Sequence, residues 1–127
     1  MKNKFYAATN KELENVSIFK RMKARFHITF LLPHKGEIRI DDNGIELGGW
    51  RYIKLSEINE IQIKNDNALS SVNFATQRRL FMNQSAKPIQ IKLTNGEIIY
   101  LYVDWSIGTG LSANKKVLAD IEERMTA

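Results

Sequence analysis

Few residues of this 127-residue chain have the type and spacing that chemistry requires. Cysteine is absent, which removes disulfides, thiolate nucleophiles and cysteine-based zinc sites. His27 and His34 are the only histidines, and their separation of seven is not helical metal-ligand spacing. No nucleophile or orienting partner is legible beside either, so both read as surface or half-buried side chains rather than general bases. Gly108-Thr109-Gly110-Leu111-Ser112-Ala113 matches G-x-G-x-x-A between a strand and a helix, the local form of a dinucleotide-binding turn. Such a site needs a βαβ unit, and the 17 residues after Gly110 suffice only for the helix, so these glycines are expected to turn the chain onto it. Ser112 and Lys115 match S-x-x-K, but the S-D-N and K-T-G elements of penicillin-recognising enzymes are missing. The carboxylate pairs Asp41-Asp42 and Glu122-Glu123 fall at a turn and on an outer helix face, without the apolar surroundings that raise a pKa for acid catalysis. The sequence thus predicts no catalytic residues, no cofactor and no metal.

Binding chemistry is more legible. The net charge is +5, and residues 1–35 hold eight Lys/Arg against Glu12 and Glu14, while residues 36–127 hold eleven against twelve acidic residues. The densest point is Lys20, Arg21, Lys23 and Arg25, flanked by Phe19, Met22 and Phe26. This is a candidate patch for an anionic surface, with an ordinary solvated helix face as the plainer reading. Four cations at an anionic membrane contribute roughly 4 kcal/mol, about millimolar binding, too weak for stable recruitment without a second anchor. Trp50 and Trp105 stand near strand ends as candidate contact aromatics, with core-edge packing as the commoner fate.

The elements that must position these residues are mostly strands. The composition, 43% hydrophobic and 26% charged, suits one folded domain with a real core. Residues 37–41 alternate polar and apolar, Asn43-Gly44 predicts a type I′ hairpin turn, and residues 45–47 return. Gly48-Gly49 makes the next turn before a strand over 50–55, and 58–64 reads as another. Residues 65–87 are the least legible: a strand within 72–82 would offer Phe74, Leu80 and Phe81 to the core, and a long loop there would be a contact surface by position. Residues 89–93, Asn95-Gly96 and 97–103 form a second Asn-Gly hairpin. Residues 98–103 are apolar on both faces, which predicts a central strand with Tyr100 and Tyr102 covered by the final helix. That helix is capped by Ser112 and buries Val117, Leu118, Ile121 and Met125. Upstream, Leu13, Val16, Phe19 and Met22 predict a helix within 11–25, and Phe26, Ile28, Phe30 and Leu32 a strand running into Pro33. The basic start leads into polar residues rather than an apolar stretch, and residues 28–32 are too short to span a bilayer. The expectation is a cytoplasmic protein without signal peptide or transmembrane segment.

The order Gly36-Glu37-Ile38-Arg39-Ile40, Asn43-Gly44-Ile45-Glu46-Leu47, Tyr52-Ile53-Lys54-Leu55-Ser56-Glu57-Ile58 and Ile61-Gln62-Ile63 resembles bacterial pleckstrin-homology-like and GRAM-like domains. The resemblance continues through residues 88–93, Asn95-Gly96, 97–103 and the amphipathic helix from Ser112, covering about residues 36–127. It implies about seven antiparallel strands in two near-orthogonal sheets, a barrel capped by one C-terminal α-helix. Residues 1–35 would then be a basic N-terminal extension, helix or strand, beside a pleckstrin-homology-like domain at 36–127. Many members of that family bind peptides or partner proteins. The minority that bind phosphoinositides strongly use a basic first hairpin, whereas here Asp41 and Asp42 make the hairpin tip acidic.

The resulting expectation is a non-enzymatic interaction module that binds a protein partner or itself. A peripheral binder of anionic surfaces through residues 20–25 is the alternative, with membrane lipid ahead of nucleic acid because no aromatic-and-basic sheet face of the RNA-binding type is legible. A small-molecule enzyme is the third reading, since fold alone does not exclude function.

Overall fold

The computed structural model describes residues 3–15, 29, 31–65, 87–106 and 111–126. Seven antiparallel strands form one curled, half-barrel sheet, followed by a C-terminal helix. The strands are β1 (Lys4–Thr9), β2 (His34–Ile40), β3 (Gly44–Leu47), β4 (Arg51–Lys54), β5 (Ile58–Ile63), β6 (Ile89–Leu93) and β7 (Ile98–Val103). Helix α1 spans Asn10–Glu14, α2 spans Asn114–Met125, and a 3-10 turn at Leu55–Glu57 joins β4 to β5. The order across the sheet is β4-β3-β2-β1-β7-β6-β5.

The alternating sequence of residues 37–54 produces the β2-β3-β4 meander, because one face of each strand is buried, while β5 pairs with β6 at the other edge of the sheet. Ile38, Ile45, Leu47 and Ile53 point inward while Arg39, Glu46, Tyr52 and Lys54 stay exposed. The N-terminal residues behave otherwise than the sequence reading expects. Strand β1 is the middle strand of the sheet, pairing with β2 (Phe5 opposite Gly36) and with β7 (Phe5 opposite Val103). The sheet therefore draws on residues 1–35 as well as on 36–127. Of the strand expected over residues 26–32, positions 26–28 and 30 lie outside the described residues. Thr29 lies in a 3-10 turn and Leu31 in a turn, and β2 starts at His34. Proline lacks the N–H that a ladder requires, so it precedes the strand.

Both faces of the sheet are covered at its centre. The inner face gathers Phe5, Ala7, Ile38, Ile45, Ile53, Ile91, Ile99, Leu101 and Val103 around Val117 and Ile121 of α2. The outer face of β1 and β7 carries a second cluster, Ala8, Tyr100 and Tyr102 under Leu13, Leu31, Leu32 and Trp105. The cover of Tyr100 and Tyr102 is thus α1 and the approach to β2, not the final helix. Side chains of a strand alternate sides, so α2 can reach only Ile99, Leu101 and Val103. Burial pushes the Tyr102 phenol well above its ordinary ionisation range.

Neither Asn-Gly pair forms the expected type I′ turn. Asn43 and Gly44 have no positive φ. The Asp41 carboxylate instead accepts the Asn43 and Gly44 N–H groups, both at 2.8 Å, and closes the loop as an Asx turn. Gly44 serves close approach, since a Cβ there would lie 2.3 Å from the Ile53 carbonyl oxygen. At the second hairpin only Gly96 is left-handed (φ +91°). The Gly96 N–H donates to the Leu93 carbonyl at 3.0 Å and the Leu93 N–H to the Glu97 carbonyl at 2.8 Å. That is a three-residue loop with a glycine bulge.

Helix α1 is one short segment closed by a capping box. Thr9 Oγ1 accepts the Glu12 N–H and Glu12 Oε1 accepts the Thr9 N–H. It ends at Asn15, whose side-chain amide donates to the Lys11 carbonyl, and residues 16–25 of the helix expected within 11–25 lie outside the described residues. In α2 the Ser112 hydroxyl accepts the Asn114 N–H, one residue ahead of the geometric N-cap Ala113. Val117 and Ile121 are buried, Leu118 is half-buried, and Met125 is exposed beyond the sheet. Asn114, fully buried, ties helix to sheet. Its Oδ1 accepts the Val103 N–H at 2.8 Å, and its Nδ2 donates to the Lys87 and Leu101 carbonyls. Among the described residues no helix is long and apolar enough to cross a membrane.

Candidate functional site

At one end of the β1–β7 pair the chain leaves Val103, passes Trp105 and returns at Leu111 to start α2. Paired backbone bonds hold this junction. The Lys4 N–H donates to Asp104 Oδ1 at 3.0 Å and the Asp104 N–H to the Lys4 carbonyl at 2.8 Å. Ser106 donates to the Leu111 carbonyl, and Ala113 to the Val103 carbonyl, each at 2.8 Å. Asp104 adopts the left-handed region (φ +52°), a conformation that aspartate tolerates better than most residues and that redirects the chain at the strand end.

The junction frames a cleft of about 710 Å³. Its floor is aromatic: Tyr6 meets Trp105 edge to face, ring centres 6.4 Å apart at 80°. Its rim is cationic, with Lys4 on β1 and Lys116 on the first turn of α2. Lys116 also borders two smaller hollows, one towards Arg39 on β2 and one shared with Lys115. Among the described residues no carboxylate pairs with the ammonium of Lys4, Lys115 or Lys116. The start of α2 at the cleft adds the positive end of the helix dipole.

Paired charges gather elsewhere on the sheet. His34 Nε2 meets Glu12 Oε2 at 2.7 Å, and the His34 ring stacks on Trp50 at 4.0 Å and 7°. The Arg51 guanidinium carbon lies 5.5 Å from the centre of the Trp50 ring and pairs with Glu97 at 3.0 Å. Glu12 thereby caps α1 with one oxygen and holds His34 with the other. At the first hairpin, Asp41 also accepts the Tyr52 hydroxyl at 3.0 Å. The two backbone N–H groups, and then that hydroxyl, hold its carboxyl below the ordinary value. Arg124 bridges Asp120 and Asp42, locking the far end of α2 to the same hairpin. The acidic hairpin tip is therefore already engaged.

The structure places the two sequence-selected tryptophans apart. Trp105 lies in the cleft floor, nearly buried, and Trp50 is half-buried in the stacked cluster with His34. Lys20, Arg21, Lys23 and Arg25, His27, and Gly108 through Gly110 lie outside the described residues. Among the described residues no group of three His, Asp or Glu side chains is placed to hold a metal ion. Sequence reasoning missed Lys4, Tyr6 and Lys116. The available signal was the placement of Lys4 and Tyr6 on either side of Phe5, a period-two pattern too short to stand out. Compared with known proteins, the chain matches no family model, no curated protein and no solved structure.

Proposed function

We propose that this chain is a non-enzymatic interaction module of pleckstrin-homology-like fold, bacterial and cytoplasmic, that binds a protein partner or a second copy of itself. Seven antiparallel strands, with β1–β4 and β5–β7 as two runs joined where β1 pairs with β7, followed by one helix across the inner face, support the fold reading. The two near-orthogonal sheets of that family are part of the proposal. The observation that carries the functional reading is the cleft of about 710 Å³ at the β1–β7–α2 junction, where aromatic and cationic groups converge on a framework of backbone bonds. Concave sites with a few converging polar groups are the usual places for recognition.

The test is affinity capture from the native cytoplasm with the wild-type chain and with the double variant Lys4→Glu, Lys116→Glu, alongside sedimentation equilibrium of both. A partner, or a self-associated species, present with wild type and lost with the variant supports the reading. A wild-type chain that stays monomeric and retains nothing, or a partner held equally by both forms, refutes it.

A further inference from the structure

We propose that the cleft at the β1–β7–α2 junction receives an acidic peptide segment of a protein partner, with carboxylates at Lys4 and Lys116 and an apolar side chain over Tyr6. The inference deepens the interaction-module reading above and rests on it. Its basis is the contrast between the paired arginines and the lysines of the cleft. Arg51 beside Trp50 is neutralised within the fold by Glu97, and Arg124 at the α2 terminus by Asp42 and Asp120. The cleft lysines are not: Lys4 and Lys116 have no carboxylate partner among the described residues, although Asp104 lines the same cleft. Asp104 Oδ1 accepts the Lys4 backbone N–H while its buried Oδ2 meets no hydrogen-bond donor among the described residues, so two lysines stand against one carboxylate in the lining. The positive potential there is left for an external anion, and the helix dipole has the same sign.

Two features favour a peptide over a phosphate or a lipid surface. The cations rim a concave site with an aromatic floor, so a ligand must combine negative charge with apolar bulk in a short span. Lysine is also a flexible point charge suited to single carboxylates, whereas arginine forks match phosphate bidentately, and no arginine among the described residues lines this cleft. The site is preformed, since Asp104, Ser106 and Ala113 are each held by backbone bonds, so little ordering opposes binding.

The experiment titrates a blocked peptide of alternating glutamate and leucine, its glutamine counterpart, inorganic phosphate, and vesicles of phosphatidylserine and phosphatidylcholine against the isotope-labelled full chain. The expected result is saturable shifts of the Lys4, Tyr6, Trp105 and Lys116 amides with the glutamate peptide alone, weakened by salt. Lys116→Gln, an exposed substitution, should weaken binding about tenfold, the size of one charge-assisted contact. Lys92→Gln, on β6 at the opposite end of the β7 ladder, should leave it unchanged. Equal binding of the glutamine peptide, indifference to Lys116→Gln, or stronger occupancy of the same amides by phosphate or vesicles would overturn the assignment. If partner capture depends on the cleft while the glutamate peptide does not bind, only this inference fails. If capture fails as well, the parent reading falls with it.

Discussion

Replacing Asn114 with alanine should cost about 2–4 kcal/mol of folding stability, far more than a polar residue on an exposed helix turn would suggest. The ladder between β6 and β7 begins at Ile89 opposite Leu101, so β6 offers Val103 no partner. The Asn114 side chain takes that place, accepting the Val103 N–H at 2.8 Å and donating to the Leu101 carbonyl at 3.3 Å and the Lys87 carbonyl at 2.9 Å. Truncation leaves a buried N–H without acceptor, about 1–3 kcal/mol, and removes two further bonds worth about 0.5–1.5 kcal/mol each. The better helix propensity of alanine returns about 0.5 kcal/mol. Because carbonyls keep a second lone pair for relaxed partners, the lower part of the summed range is expected. Urea unfolding followed by circular dichroism should show the midpoint falling by about 1–2 M at unchanged slope. Hydrogen exchange should show the Val103 amide losing protection ahead of Leu101. A stability loss below about 0.5 kcal/mol, the size of an ordinary surface substitution, would refute the role assigned to Asn114.

Leu32→Ala should destabilise by about 2–5 kcal/mol, because the fully buried side chain covers Tyr100 and Tyr102 on the outer face. The near-ultraviolet signal of Trp105 and the tyrosines should weaken with it; a loss no larger than at an exposed site would contradict the second cluster. Acid titration of stability tests Asp41. Its folded-state pKa lies below the ordinary 3.8, so its contribution is present above that value and is lost as pH falls through the folded pKa. Wild type should therefore lose more stability than Asp41→Asn below about pH 4, and parallel curves for the two forms would refute the Asx-turn account.

What the sequence by itself determined was every element whose burial is one-sided. Ile38 and Ile53 lie between exposed neighbours, Ile45 and Ile91 each beside one, and Val117 and Ile121 recur at helical spacing, so the strands from 37 to 63, the hairpin from 89 to 103 and the last helix were legible. Residues 98–103 announced a central strand because both of their faces are apolar. Tertiary structure alone decided the rest. In β1, Phe5, Ala7, Ala8 and Thr9 are all buried, since the strand lies at the sheet centre under two apolar layers. Burial on both faces erases alternation, and small alanines carry little strand signal of their own. The turns also escaped: Asp41 supplies by side-chain bonds the closure that positive φ at Asn43 and Gly44 would otherwise require. The cleft was least legible, because Lys4 and Asp104 stand 100 residues apart and Lys116 joins them only once β1 pairs with β7 and Asn114 docks the helix start. A local pattern reports which way a residue faces along its own element. Which distant elements share an edge is settled by the pairing of strands, and the chemistry of this protein lies at such an edge.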